Sequence, residues 1–149
     1  MPTLIRGYYG FDDVRAGDRI ETGPVLVSAA LIESFASLTG NPFEIFTSAA
    51  AARIHGYRGQ VAPGLLVLAL VDGMKNQALA QFRAQASLSW DWTFRTPVLA
   101  GDSIHAILTV RHKTPVNTQD RGIAVINIDV INQQGDVVQS GCNQLMLYR

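Results

Sequence analysis

The sequence predicts an α+β domain in which an antiparallel sheet wraps one central apolar helix. Three observations carry this. The first half has helical patterning broken by irregular stretches, and the second half reads as runs of strands joined by short turns. Between them lies "PGLLVLALVDGMKNQALAQF", residues 63–82, whose first two turns are apolar all round. A helix of that kind is expected to be buried on every side, and a sheet wrapped round it satisfies both elements.

"FDDVRAGDRI" is a turn-rich approach in which Ala16-Gly17-Asp18 breaks the chain before "RIETGPVLV", one extended segment. Ser28 is then placed to cap a helix. Leu31, Ile32, Phe35, Ala36 and Leu38 follow with helical spacing and one apolar face. Gly40 ends that helix and Pro42 prevents it from resuming. Residues 41–63 read as a loop holding one short helix at "SAAAARI". Pro63 suits the first turn of the next helix, where its missing N–H costs nothing.

The remaining segments alternate between strand and turn. In "QASLSWDWTFR", Ala86, Leu88, Trp90, Trp92 and Phe94 alternate with Ser87, Ser89, Asp91, Thr93 and Arg95, so one face is expected to be buried. "TPVLAGDS" is a turn, "IHAILTVRHK" a strand, "TPVNTQDRG" a loop, "IAVINIDVIN" a strand, "QQGD" a tight turn and "VVQSGCNQLMLY" the last strand.

Composition narrows the function. The 149 residues suit one domain spanning 1–149 with a core of its own. Hydrophobic residues make up 48% and charged residues 16%, so a second subunit or an apolar ligand is expected to cover part of the surface. Lys+Arg and Asp+Glu balance at 12 each, which gives no electrostatic reason to expect nucleic acid or an anionic membrane as partner. The single cysteine, Cys142, rules out an intrachain disulfide and a cysteine-type metal site, and reads as a small buried thiol. "MPTLIRGYYGFDDV" lacks the apolar stretch of a signal peptide, and the run Leu65 to Val71 is too short to span a bilayer. A cytoplasmic location is expected. His105 and His112, seven apart, are expected on opposite faces of a strand, and neither a metal motif nor a dinucleotide glycine loop is present. No metal and no cofactor are expected.

The order and spacing of several short segments resemble the MaoC-like dehydratases, hotdog-fold proteins that include the (R)-specific enoyl-CoA hydratases. "FDDVRAGDRIETGPVLVSAALIESFASLTG" is similar to their first strand and helix, and "NPFEIFTSAAAARIHGYRGQVAPGLL" to the active-site overhang and the start of the central helix. "WDWTFRTPVLAGDSI" is similar to their strand–Pro–Val–Gly-Asp turn and "VINQQGDVVQSG" to their last hairpin. The resemblance covers nearly the whole chain and implies a hotdog fold. It also implies an acyl-CoA or acyl-carrier thioester as substrate, and a homodimer or a heterodimer with another hotdog chain. The family's hydratase motif reads F-x-x-[LV]-[ST]-G-D-x-N-P-x-H-x5-A. Here Phe35 to Gly40 is followed directly by Asn41-Pro42-Phe43-Glu44, with Ala50 closing the spacer. The motif's aspartate is missing, Glu44 stands at its histidine, and the later V-A-H-G stretch reads Val61-Ala62-Pro63-Gly64.

Hydration of an enoyl thioester needs a base for water, an acid for the α-carbon and a donor for the developing oxyanion. By the resemblance, Gly64 supplies the backbone N–H donor at the start of the central helix; the plainer reading is a glycine that permits close packing. Glu44 is a base candidate or an ordinary capping carboxylate. Thr39 and Asn41 can orient a water but not deprotonate it. His55 is a second base candidate or a surface loop residue. Asp72, a polar break in the central helix, reads as a group that pairs with a neighbouring subunit or reaches solvent. The candidate catalytic set is Glu44, Asn41 and Gly64. "RGYYG" and "GYRG" carry Arg and Tyr that suit the phosphates of a CoA or carrier arm, or are solvated loops.

Three functions follow: an acyl-thioester (enoyl-CoA) hydratase/dehydratase with an altered catalytic site, a non-catalytic partner subunit of a heteromeric hotdog dehydratase, and an acyl-CoA thioesterase using a lone carboxylate.

Overall fold

The computed structural model describes residues 2–149. Strand β1 (Gly7–Tyr9) leads to β2 (Arg19–Glu21) and β3 (Val25–Leu26). "RIETGPVLV" is thus two short strands rather than one, because Gly23-Pro24 interrupts it; both pieces pair antiparallel with the same long strand downstream. Helix α1 (Ala29–Thr39) starts where expected. The Ser28 hydroxyl accepts from the Leu31 N–H, and Gly40 closes the helix at φ 65°, a left-handed turn that glycine adopts without strain.

A 3₁₀ turn at Glu44–Phe46 and helix α2 (Ala49–Ile54), capped by Ser48, build the overhang. Its small apolar centre is Ile45, Ala52 and Val61. The Val61 N–H donates to Ile45, and the buried Gln60 amide donates to the Phe46 carbonyl at 2.7 Å.

Central helix α3 (Gly64–Lys75) stops at Lys75, where the Asn76 N–H bonds back to the last carbonyls. The chain then leaves the helical path, and β4 (Ala80–Phe82) pairs parallel with β1. That two-stranded piece has no counterpart in the sequence reading, which carried the helical segment through Phe82. Four long strands follow: β5 (Ala84–Phe94), β6 (Ser103–Pro115), β7 (Arg121–Asn132) and β8 (Val137–Tyr148). The sheet order is β2-β6-β7-β8-β5, with β3 beside β2 on β6. All of its pairings are antiparallel.

The sheet curls round α3. Leu66, Val67, Val71 and Met74 pack among Ile104, Ala106, Leu108, Ala124, Ile126, Ile128, Leu145 and Leu147, all buried. Burial of α3 is one-sided, however. Leu65, Ala69 and Gly73 form an exposed stripe, because the described residues place no second layer over that face. Sequence patterning alone predicted burial on every side.

Strand β5 departs from simple alternation. Ser87 faces Leu145 and Ser89 faces Gln144, so Leu88 is an extra residue, a β-bulge. The bulge turns Ser87, not Ala86, toward the inner face, where Ser87 accepts from the buried Asn143 amide at 2.7 Å. Beyond it Trp90 and Trp92 do face inward, edge-to-face at 5.6 Å. A bulge at Arg111 in β6 puts His105 and His112 on the same outward face instead of opposite ones. Six strand steps still hold them about 20 Å apart. Cys142 is half-buried on the sheet's outer face, 3.0 Å from Asn127 Oδ1, rather than in the core.

Lys75, only 4% exposed, sits between α3 and the inner face of β5 and β8. Its ammonium pairs with Asp72 at 3.0 Å, donates to Asn143 Oδ1 at 3.1 Å and lies 5.3 Å from the Trp90 ring. Asp72 therefore finds its partner three residues away in its own helix.

Candidate active site

A groove of about 520 Å³ opens between the end of α1, the overhang and the first turn of α3. Phe35, Phe46, Leu65 and Phe94 make its walls apolar, and Thr39, Asn41 and Gly64 are the polar or backbone contributors. Each position has a local cause. Gly40 turns left-handed, so the chain leaves α1 abruptly and delivers Asn41 to the rim. Asn41 Oδ1 accepts from the Phe43 N–H at 3.2 Å, an Asx turn that leaves the side-chain amide N–H groups free. The Thr39 hydroxyl is engaged with the Phe35 carbonyl at 2.9 Å, so it has little capacity to orient a water.

On the opposite side, Pro63 is the N-cap of α3 and offers no side-chain cap. The Leu66 and Val67 N–H groups turn back to the Pro63 carbonyl. The Gly64 and Leu65 N–H groups have no partner among the described residues, and both residues line the groove. Two free donors at a helix N-terminus, with the helix dipole behind them, favour negative charge on an oxygen placed there. Gly64 is also pressed close to a ring: a β-carbon would sit 3.0 Å from the Phe94 edge. The packing reading and the donor reading of Gly64 are thus compatible.

The first turn of α3 is anchored by a residue with no signal in the sequence. Gln139, buried in β8, donates to the Gly64 carbonyl at 3.1 Å and accepts from the Trp92 indole N–H at 2.8 Å. A bulge at Val138 turns Gln139 inward next to another buried residue, and strand alternation cannot anticipate that.

The three candidates are not all brought together. Asn41 and Gly64 line the groove; Glu44 does not. The Glu44 side chain is 61% exposed, and its Oε1 lies 2.9 Å from His55 Nε2. His55, expected as a separate loop residue, is therefore its partner. Phe43 packs edge-on against both the His55 ring at 6.0 Å and the groove-lining Phe46 at 5.4 Å, so the carboxylate–imidazole pair is one aromatic layer from the groove. Among the described residues, no titratable side chain lines the groove. Among the described residues there is no His/Cys/Asp/Glu group able to hold a metal, and no helix is long and apolar enough to cross a membrane.

A curled antiparallel sheet round one central helix, with a groove at that helix's N-terminus beneath an overhang, defines a hotdog-fold protein. The sequence profile of the MaoC like domain matches residues 13–130, and the chain belongs to that family. A monoamine oxidase regulatory protein from Archaeoglobus fulgidus superposes with a TM-score of 0.86 at 26% identity, over 98% of this chain and 99% of that one. The MaoC-like dehydratase from Rhodospirillum rubrum gives 0.85 at 26% identity, over 94% and 97%. An (R)-hydratase from A. caviae involved in PHA biosynthesis shares the fold, with a TM-score of 0.74 at 21% identity over 90% and 97%. None of the curated proteins matches the sequence.

Proposed function

We propose that the chain is a MaoC-like hydratase/dehydratase of acyl thioesters with an altered acid/base set. The observation that carries this is the pair of free N–H groups at Gly64 and Leu65, set at the inner end of an apolar groove. A thioester carbonyl placed there accepts both donors, while its acyl chain lies against Phe35, Phe46 and Phe94. Addition of water across a conjugated double bond moves charge onto that oxygen, and donors fixed in advance stabilise it most as the charge develops. Asn41, with its amide N–H free, holds the incoming water. Glu44, paired with His55 behind Phe43, is the carboxylate–imidazole couple of the overhang; with Phe43 swung aside it takes the proton of the attacking water and returns it to the α-carbon.

The groove is completed by a second copy of the chain. Leu65 (63% exposed) and Phe94 (57% exposed) lie at its mouth, the Leu65/Ala69/Gly73 stripe of α3 is bare, and β5 is an unpaired edge. An open edge beside an uncovered helix face is closed by pairing with another sheet.

A second reading is favoured by the absence of a titratable side chain in the groove: the chain binds and shapes the acyl site while another hotdog chain supplies the acid and base. One assay separates the readings. Enoyl-CoA absorbance is followed with the wild type, Glu44→Ala and His55→Ala, together with release of free thiol. Turnover in the wild type that falls at least about a hundredfold in Glu44→Ala supports the altered hydratase. An inactive wild-type dimer that still binds the thioester supports the partner subunit. Thiol release without hydration makes it a thioesterase.

A further inference from the structure

The groove has no charged side chain among the described residues, but α3 carries a carboxylate at the other end of its bare stripe. Leu65, Ala69 and Gly73 are exposed, and Asp72 beside them is half-exposed. Seven residues make two turns to within about 20°, so Asp72 lies on the same line of the helix as Leu65, about 10 Å further along the axis. Lys75 engages Asp72 Oδ1 at 3.0 Å, and among the described residues Oδ2 has no partner. The carboxylate is anchored at one oxygen and open at the other, on a face without cover.

Two open elements restrict how a second copy can sit. β5 is a free edge of the sheet, and α3 packs on the sheet's inner face. A two-fold axis along β5 would carry the partner's helix to the opposite face of the joined sheet and leave both stripes bare. An axis perpendicular to the sheet pairs the two β5 strands antiparallel and keeps both helices on one face, where they also meet antiparallel. The stripe is complementary to itself in that direction. Leu65 projects at one end, Gly73 at the other has open space where a β-carbon would stand, and Ala69 lies midway. Antiparallel helices crossing at Ala69 seat each Leu65 in the partner's Gly73 notch, with the axes about 8–10 Å apart. The same crossing brings the partner's Asp72 to within about 1.5 Å of the level of Leu65. There it stands beside the free N–H groups of Gly64 and Leu65, at the helix end that favours negative charge.

We propose that the groove is a composite site, in which Asp72 of each copy holds the attacking water in the groove of the other. This rests on the reading of the groove as an enoyl-thioester hydratase site and adds the group it takes in trans. The water donates one O–H to Glu44, which takes that proton and returns it to the α-carbon. It donates the other to Oδ2 of the partner's Asp72. Asn41 donates its free amide N–H to one lone pair, so the remaining lone pair is aimed at the β-carbon. The oxygen bonds to the β-carbon as the electron pair of the double bond moves to the α-carbon and the thioester oxygen. The O–H held by Asp72 stays intact as the product's hydroxyl. Asp72 exchanges no proton, and Lys75 fixes its orientation.

Placement and role are tested separately on the intact protein. For placement, Leu65→Cys and Asp72→Cys are combined in one chain with Cys142→Ser. Within one helix these positions are about 10 Å apart, beyond disulfide reach, so a bridge forms only between copies. Oxidation is expected to give a covalent dimer on a non-reducing gel, and neither Leu65→Cys nor Asp72→Cys alone should do so. A wild type that sediments as a monomer, or a double variant left uncrosslinked, overturns the composite site. For the role, hydration of an enoyl-CoA is followed. Asp72→Asn, which keeps an oxygen for Lys75, should lower turnover at least about tenfold. Mixing equal amounts of Asp72→Asn and Glu44→Ala, with subunit exchange confirmed by mass, should recover about a quarter of wild-type turnover, because half the dimers are mixed and each holds one complete groove. No recovery, or an Asp72→Asn turnover within about twofold of wild type, overturns the role in trans. An inactive wild type whose double variant still crosslinks overturns the hydratase reading and leaves the placement of Asp72 standing.

Discussion

Replacing Gln139 with leucine tests the device that positions the groove's donors. Gln139 makes two hydrogen bonds from a buried position, to the Gly64 carbonyl at 3.1 Å and from the Trp92 indole at 2.8 Å. Leucine has similar volume, so it leaves little cavity, but both partners lose a bond. The Gly64 carbonyl can still receive its helical hydrogen bond, so that loss is about 1 kcal/mol. The Trp92 N–H, half-buried, loses its acceptor at a cost of about 1–2 kcal/mol. Part of this is returned by burying leucine's apolar atoms, leaving a net destabilisation of about 2 kcal/mol. For a domain of this size that lowers Tm by about 4–8 °C. Thermal and urea unfolding of Gln139→Leu measure it. Trp92→Phe, which removes the indole donor, provides the second arm of a double-mutant cycle. In that background Gln139→Leu should cost about 1 kcal/mol less. A Tm within about 2 °C of wild type, or strict additivity in the cycle, would refute the claim that Gln139 ties β8 and β5 to the first turn of α3.

Gly141→Ala should be more damaging, because the new β-carbon would lie 2.0 Å from the Asp91 carbonyl oxygen, backbone that cannot yield without opening the β5–β8 pairing. A loss of about 3 kcal/mol or more, read from urea midpoints, is expected. The buried ammonium gives a contrast between its two ends. Lys75→Met removes a desolvated charge and keeps volume but strands the buried Asn143 Oδ1, so it should cost about 1–2 kcal/mol. Asn143→Leu strands Lys75 with Asp72 alone and should cost about 2–4 kcal/mol by the same measurement. Glu44→Ala should leave Tm within about 1–2 °C, since both partners of the Glu44–His55 pair are exposed; a larger fall would make the pair structural and spoil it as a probe of activity.

Much of the architecture was legible from local chemistry. Ser28, Gly40 and Pro63 mark helix boundaries because capping groups and fixed dihedral angles act within a few residues. The four long strands announce themselves by their apolar patterning and the turns between them. The motif that places Asn41 and Gly64 across one groove was also readable, because the resemblance preserves order and spacing around them.

What the sequence could not decide were matters of register, cover and reach. A bulge at Leu88 exchanges which face Ser87 occupies, and one at Val138 turns Gln139 inward; each depends on which residues the neighbouring strand offers. Burial of α3 on one side only depends on how far the sheet curls, which no helical periodicity encodes. The separation of Glu44 from the groove, and its pairing with His55 eleven residues away, arise from how the overhang folds on its own small core. Short-range pattern thus determined most of the elements, and the order of the quoted motifs carried the resemblance to the family. Long-range packing alone decided which polar groups meet the groove and which face away from it, because those choices are settled by contacts between residues far apart in the chain.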